Sequence, residues 1–370
     1  MKKIFISAGD PSGDVHSARL MAELKKLEPS LEFTGLGGPA MLAEGLKSIA
    51  KLEDISVVGF WEVAKKYFFF SDLLNKCKNI LKSGEIEAFI PVDYPGFNIR
   101  LAAFAKKTGL PVIYYIAPQL WAWGENRARS LNKVVDILLT VFPFETEFFS
   151  RFGIDTIFVG HPLLDSYDFE NPASNEKRNP GLIAFFPGSR KQEIARHIPL
   201  FNDTAKLLLK RKPGMELGLS VSSSVNNNEY QKYIKSYLNW QLWDNAGELM
   251  RTAGAGIVKT GTSTLEAALC GLPFAMVYRT SAISYLFGKN LVNLDHISLV
   301  NILANKKVVN EFIQSEATPE KLADEMNNII DDESRKSELK SEFEKIRELL
   351  GGKGASAKAA SIIAKELKWI

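Results

Sequence analysis

Apolar residues in the first half of the chain fall in short runs at 3–8, 88–92, 111–116, 136–141 and 156–159, separated by stretches with helical spacing. Strands buried on both faces read this way, and the stretches near 16–27, 64–82, 101–107 and 145–152 predict amphipathic helices. Strands alternating with helices imply right-handed crossovers and a parallel sheet covered on both sides. The pattern stops at 162–180, where residues 168–180 are polar and interrupted by Pro172 and Pro180, as in a linker. A new apolar run at 181–186 opens a second series, continued at 215–220, 254–258 and 273–278, and residues 319–369 are helical in pattern and rich in Lys and Glu. The expected organisation is an α/β domain over 1–165, a linker at 166–180, a second α/β domain over 181–345 and a C-terminal helix at 346–370. Two doubly wound halves predict a cleft between them, with ligands outside the carboxyl ends of the strands.

The length of 370 residues agrees with about two domains. Cys77 and Cys270 have no metal-ligand spacing and fit a reducing compartment, both buried as small hydrophobes. The apolar start is too short for a signal peptide and runs into Gly9-Asp10, so it predicts a buried first strand. No run of about 18 apolar residues is present, which argues against a membrane span. A net charge of +3 is too small to imply nucleic-acid binding. These features predict a cytoplasmic protein.

Candidate chemistry gathers where predicted strands end. Gly9-Asp10-Pro11-Ser12-Gly13-Asp14 follows the first strand; its glycines permit close approach of a ligand, while Asp10 and Asp14 suit sugar hydroxyls better than phosphate. The alternative is that Ser12 or Asp14 caps the following helix. Gly35-Leu36-Gly37-Gly38-Pro39 is a second glycine turn. Asp93 follows the apolar run 88–92 and stands where a general base would, though Asp is also a common turn residue. Trp121 and Trp123 read either as core or as a stacking wall for a sugar or acyl chain. In the second half, Gly188, Ser189 and Arg190 gather at a helix start with Glu193 inside it, an arrangement suited to a diphosphate; a surface Arg paired with Glu193 is the plainer alternative. Gly261-Thr262-Ser263 with Glu266 suits a nucleotide, with backbone N–H groups toward phosphate and the carboxylate toward ribose; a capped helix is the plainer alternative. His16, His161, His197 and His296 lack ligand spacing, so no metal and no other cofactor are expected. Phe60, Trp61, Tyr67, Phe68, Phe69 and Phe70 are too many aromatics for one inward helix face, and Lys65-Lys66 beside them predicts contact with an anionic lipid surface; a helix buried on all sides between domains is the alternative.

Taken together, the motifs resemble the lipid-A-disaccharide synthase family from Ile4 to about Pro319. The resemblance rests on Gly9 through Asp14, Asp93-Tyr94-Pro95-Gly96-Phe97-Asn98, Pro118 through Trp123, Phe144-Glu145, Gly160 through Asp165, Pro187 through Arg190 with Glu193-Ile194, and Gly261 through Glu266. Asn301-Ile302-Leu303 and Glu311-Phe312-Ile313-Gln314 extend it. Asp10 stands where Glu is more usual, Gly124 where a basic residue is, Thr260 where Ser is and Val300 where Pro is. The resemblance implies a GT-B fold of two facing Rossmann-like domains and an inverting, metal-independent transfer from UDP-2,3-diacylglucosamine to 2,3-diacylglucosamine 1-phosphate at the inner membrane surface. It implies catalytic roles for Asp93, Arg190 and Asp10. Gly188, Ser189, Arg190, Gly261, Thr262, Ser263, Glu266, Asn301, Glu311 and Gln314 would bind the donor. Asp10, Ser12, Asp14, Trp121, Trp123 and His161 would serve the acceptor, and a homodimer is allowed. A UDP-N-acetylglucosamine 2-epimerase, a peptidoglycan-type glycosyltransferase and a non-catalytic nucleotide-binding module remain as alternatives. The absence of Gly-x-Gly-x-x-Gly after the first strand disfavours a dehydrogenase.

Overall fold

Ile4, Phe5 and Ile6 of the first strand are wholly buried because parallel partners flank it on both sides. A computed structural model describes residues 2–56, 66–166, 178–222, 225–281, 285 and 295–370. The chain divides into two compact units, Met1–Tyr167 with Leu349–Ile370, and Asp168–Glu348.

The first unit alternates as expected: β1 (Lys3–Ser7), α1 (Pro11–Leu27), β2 (Glu32–Leu36), α2 (Pro39–Ala43), β3 (Leu46–Ser48), α3 (Leu52–Ile55), α4 (Tyr67–Leu81), β4 (Ala88–Pro91), α5 (Pro95–Lys107), β5 (Ile113–Tyr115), α6 (Leu120–Trp123), α7 (Glu125–Leu131), β6 (Ile137–Thr140), α8 (Pro143–Ser150) and β7 (Thr156–Phe158). One parallel sheet has the order β3-β2-β1-β4, and a second has β5-β6-β7. Parallel bridges Phe89–Val112 and Val92–Tyr115 join β4 to β5. The order therefore reverses between β1 and β4, the topological switch point of a doubly wound fold. Gly35 lies within β2 rather than in a turn, and a Cβ there would collide with the Ile6 carbonyl; the turn itself is Gly37-Gly38. Pro95 opens α5 at its first position, so the helix starts six residues before the expected 101 (101 − 95).

The second unit repeats the plan with β8 (Asn179–Phe186), α9 (Lys191–Arg211), β9 (Glu216–Ser220), α10 (Asn227–Gln231), β10 (Gln241–Trp243), α11 (Ala246–Thr252), β11 (Ala253–Lys259), α12 (Thr262–Leu269), β12 (Phe274–Tyr278), α13 (Leu299–Ala304), β13 (Glu311–Ile313), α14 (Pro319–Asp331) and α15 (Glu333–Leu349). Its parallel sheet runs β10-β9-β8-β11-β12-β13, with the reversal between β8 and β11. Arg178 anchors the start of β8 by donating to the carbonyls of Met250, Ala253 and Cys270.

The last helix, α16 (Ala355–Glu366), belongs to the first unit and packs on α1. Asp165 caps it, accepting from the N–H groups of Gly354 at 2.7 Å and Ser356 at 2.9 Å, while His161 N–H donates to the Leu350 carbonyl. Both cysteines are buried, and burial pushes each thiol up to about 12. Among the described residues no helix is long and apolar enough to cross a membrane.

Asp165→Ala should leave the α16 N-terminus uncapped at a cost of about 1–2 kcal/mol. We expect faster amide exchange through residues 355–366 measured by mass spectrometry; unchanged exchange there would refute the capping role.

Candidate active site

At the switch point of the first unit the chain adopts a left-handed pair, Asp93 at φ 42° and Tyr94 at φ 51°. Non-glycine residues in that region cost of order 1–3 kcal/mol each and persist only where surroundings fix them. Here the Asp93 carbonyl accepts from the Tyr114 hydroxyl at 2.6 Å and the Asn98 amide at 2.8 Å, and the Asp93 N–H donates to the Tyr115 carbonyl. Buried Asn98 also donates to the Ser7 carbonyl and accepts from the Ser7 hydroxyl at 2.7 Å, so the end of β1 and the Asp93 turn are one hydrogen-bonded unit. Tyr94 lays its ring over Gly9, where any Cβ would overlap it, and its hydroxyl donates to the Ile55 carbonyl.

Loss of hydration raises the Asp93 carboxyl to about 7, and the neighbouring Asp10 carboxylate adds to the rise. Asp10 is half-buried and caps α1 by accepting from Gly13 N–H at 2.6 Å. The cap is thus Asp10, not Ser12 or Asp14. Ser12 lies half-buried in the first turn of α1. Asp14 is buried, and its carboxylate accepts from the N–H groups of Gly38, Ala40 and Met41 at 2.7–3.0 Å. This corrects its expected place facing an acceptor: its oxygens tie α1 to α2.

Beside this turn, the Trp121 indole N–H donates to Glu145 at 3.0 Å. The other Glu145 oxygen accepts from the N–H groups of Val141 and Phe142. Burial, opposed by these donors, lifts the Glu145 carboxyl to about 8, and the Asp93 charge contributes to the rise. A row of rings leads inward from Trp121 through Phe144, Phe142 and His161 to His16, with successive centroids 5.0–6.2 Å apart. His161 is buried and its Nδ1 accepts from Leu163 N–H, so it lies beneath the site surface rather than on the acceptor side. Burial and the proximity of His16 hold His161 well below its ordinary range. Trp123 occupies the last position of α6; its side chain lies outside the described atoms.

The second unit places two glycine loops at its own switch point. Gly188 (φ 105°) and Gly261 (φ 129°) both use conformations open to glycine. Ser189 is exposed and Arg190 half-buried ahead of α9; Thr262 and Ser263 begin α12, with Glu266 half-buried one turn on. Glu193 accepts from Ser189 N–H at 3.0 Å, from Arg190 at 3.1 Å and from Lys259 at 2.8 Å. These cations hold its carboxyl below the usual range in spite of its burial. Sequence pattern does not single out Lys259, because a lone lysine at the end of an apolar run has no local signature.

Three of the expected donor residues hydrogen-bond within the unit, and one of them, Asn301, is buried. Asn301 is buried with its amide saturated, donating to Val309 O and Glu311 and accepting from the N–H groups of Val308 and Val309. Glu311 accepts from Ile297 and Ser298 N–H at the start of α13. Gln314, at φ 51°, accepts from Thr280 N–H. Asn301 has no hydrogen-bonding capacity left for a donor, and Glu311 is engaged in holding this loop. His197 is a further inward group: its Nε2 accepts from Arg279 N–H, so its Nδ1 carries the proton and donates to the Pro187 carbonyl at 3.0 Å. Burial, helped by Lys259, lowers His197 to about 4.

A family model described as lipid-A-disaccharide synthetase matches residues 4–366. The chain belongs to that family. A lipid-A-disaccharide synthase of Geobacter metallireducens is 36% identical over 99% of this chain and 97% of its own length, and one of Syntrophus aciditrophicus is 36% identical over 97% and 96%. Among solved structures, UDP-GlcNAc 2-epimerase from Neisseria meningitidis bound to UDP-GlcNAc has a TM-score of 0.63 at 12% identity, covering 100% of both chains. The calicheamicin glycosyltransferase CalG4 has 0.64 at 12%, covering 100% of this chain and 98% of that one. The fold is that of GT-B glycosyltransferases and epimerases, and the chain is a glycosyltransferase of lipid A biosynthesis using a UDP-sugar and a lipid A precursor.

For this family member the aromatic segment is partly corrected. Tyr67 and Phe68 are exposed by 63% and 86% and Phe69 by 37%, whereas Phe70 turns against the core with Leu73, Cys77 and Leu81. Phe60 and Trp61 lie outside the described residues.

Because the Asp93 carboxyl rises from 3.8 unfolded to about 7 folded, its burial favours the fold at low pH and the contribution is lost as pH rises through that window. Asp93→Asn should therefore raise the unfolding temperature relative to the parent at pH 8, with the gap closing toward pH 4. A gap independent of pH, by scanning calorimetry, would remove Asp93 as a buried titrating acid.

Proposed function

We propose that the chain joins UDP-2,3-diacylglucosamine to 2,3-diacylglucosamine 1-phosphate, inverting the anomeric centre in a single displacement without a metal, while lying peripherally on the inner membrane. The observation that carries this is Asp93: a carboxyl held in a strained turn at a switch point and lifted to about 7, in a chain of this family.

In this reading Asp93 takes the proton from the acceptor's 6-hydroxyl as that oxygen attacks the anomeric carbon. A base with pKa near the working pH combines adequate basicity with sufficient ionisation. The strained backbone fixes where its carboxylate points, and Asp10 keeps it basic. Trp121, steadied by Glu145, would form part of the wall beside the acceptor. On the donor side Arg190 and the N-termini of α9 and α12 would receive the leaving diphosphate, with Glu266 toward the ribose. Fixed donors aimed at developing negative charge supply the electrostatic stabilisation that a metal gives elsewhere.

Both substrates carry acyl chains, so an exposed aromatic turn at Tyr67, Phe68 and Phe69 with Lys66 adjacent supports collection of substrate at a lipid surface. The likeness to 2-epimerases at 12% identity or less concerns the fold alone.

The decisive assay is UDP release from UDP-2,3-diacylglucosamine with and without 2,3-diacylglucosamine 1-phosphate, in EDTA. Release should depend on acceptor, kcat/KM should climb with pH through about 7, and Asp93→Asn should lose roughly 10²–10⁴-fold. Near-normal turnover in Asp93→Asn would sink the base assignment. Separately, replacing Phe68 and Phe69 with Ser should weaken sedimentation with anionic phospholipid vesicles while turnover of detergent-dispersed substrate is kept. Equal sedimentation would end the membrane role of that turn.

A further inference from the structure

Glu193 stands between two cations, and one carboxylate cannot neutralise both. Its side chain is 14% exposed, that of Lys259 16% and that of Arg190 39%. Arg190 and Ser189 N–H already serve it from its own loop, so the Lys259 contact at 2.8 Å arrives from a different element, the end of β11. The Lys259 ammonium also lies over the second glycine loop: a Cβ on Gly261 would sit 3.7 Å from its Nζ. Among the described residues the ion pairs of Arg190 and Lys259 both end on Glu193, so two cations share one carboxylate between the starts of α9 and α12. A mostly buried ammonium is costly to dehydrate, and sharing one carboxylate with an arginine offsets that cost poorly. Such an arrangement makes sense when a multiply charged anion completes it.

We propose that Lys259 is a second cationic ligand of the donor's diphosphate, held by Glu193 until the donor binds and then turned to a phosphate oxygen. This rests on the donor-site role given above to the second unit. Lysine suits the task, since its flexible stem lets the ammonium exchange one oxygen partner for another without moving the backbone. Until the donor binds, Glu193 acts as a positioning residue: it keeps Arg190 and Lys259 together and ties the Gly188 loop to β11. As the glycosidic bond to UDP breaks, the electron pair stays on the departing phosphate oxygen, and both cations stabilise that charge.

The test uses the full chain and measures UDP binding by calorimetry at two salt concentrations, with uridine as competitor in the UDP-release assay. Lys259→Met should weaken UDP roughly tenfold or more and flatten its salt dependence, with uridine inhibition and unfolding temperature little changed. Lys259→Arg should restore most of the affinity, and it keeps the comparison open if the methionine variant folds poorly. Unchanged UDP affinity in Lys259→Met, alongside a clear loss in Arg190→Met, would overturn the proposal and leave the donor site standing. Equal weakening of UDP and uridine would also overturn it, because Lys259 would then be only a strap between loops. Failure of the parent chain to bind UDP would overturn the donor-site role and this inference with it.

Discussion

Each half of this chain is organised by a parallel strand whose neighbours depart in opposite senses, β1 with β2 and β4, and β8 with β9 and β11. Hydrogen bonding on both edges and helices on both faces leave such a strand only its carboxyl end at which to present polar groups. At β1 that end is Ser7, through which Asn98 reaches the Asp93 turn. At β8 it is Pro187, whose carbonyl is held by neutral His197 ahead of Gly188. Burial of the strands and placement of the chemistry are therefore one constraint: the same sheet order that hides Ile4 to Ile6 fixes where Asp93 must stand.

The two switch points gather different ionisable groups, and the difference fits the chemistry proposed for each. Asp10, Asp93 and Glu145 crowd the first unit, where burial, with the charge of a neighbouring carboxylate, makes Asp93 and Glu145 more basic. In the second, Arg190 and Lys259 share the single carboxylate of Glu193, an arrangement that suits the proposed anionic leaving group. Reversing either would defeat the proposed chemistry: a cation beside Asp93 would acidify the proposed base, and an extra carboxylate beside Arg190 would disfavour the proposed diphosphate site.

How much of this the sequence disclosed depends on whether a feature is local. The buried strands β1, β4, β8 and β11 were legible because a short apolar run bounded by glycine or proline folds as little else. The edge strands β3, β10 and β13 were not, since Leu46–Ser48, Gln241–Trp243 and Glu311–Ile313 are three residues each and keep polar or half-exposed positions. Asp93 and Arg190 were legible from their place after a strand. The inward turn of Asp14, Asn301 and His161 was not, because each is engaged by backbone groups from outside its own turn: Gly38 to Asp14, Val308 to Asn301, and the Leu350 carbonyl to the His161 N–H. The partnership of Lys259 with Glu193 joins the end of β11 to α9 across β9 and β10, so no spacing rule could have found it.

The buried titrating groups set a conflict between stability and activity. His16 and His197 fall from 6.5 to about 4, so they favour the fold above pH 6.5 and lose that contribution as pH drops toward 4. Asp93 and Glu145 work the other way: they rise to about 7 and about 8, and their contribution is lost as pH climbs. The histidines are served by neutrality, since His197 needs a free Nε2 to accept from Arg279 N–H. Asp93 is different, because in the base role proposed for it the carboxyl must be ionised to act. The fold thus gives up stability in the pH range where the carboxylate exists, and the hydrogen bonds from Tyr114 and Asn98 to the Asp93 carbonyl hold the turn in place there.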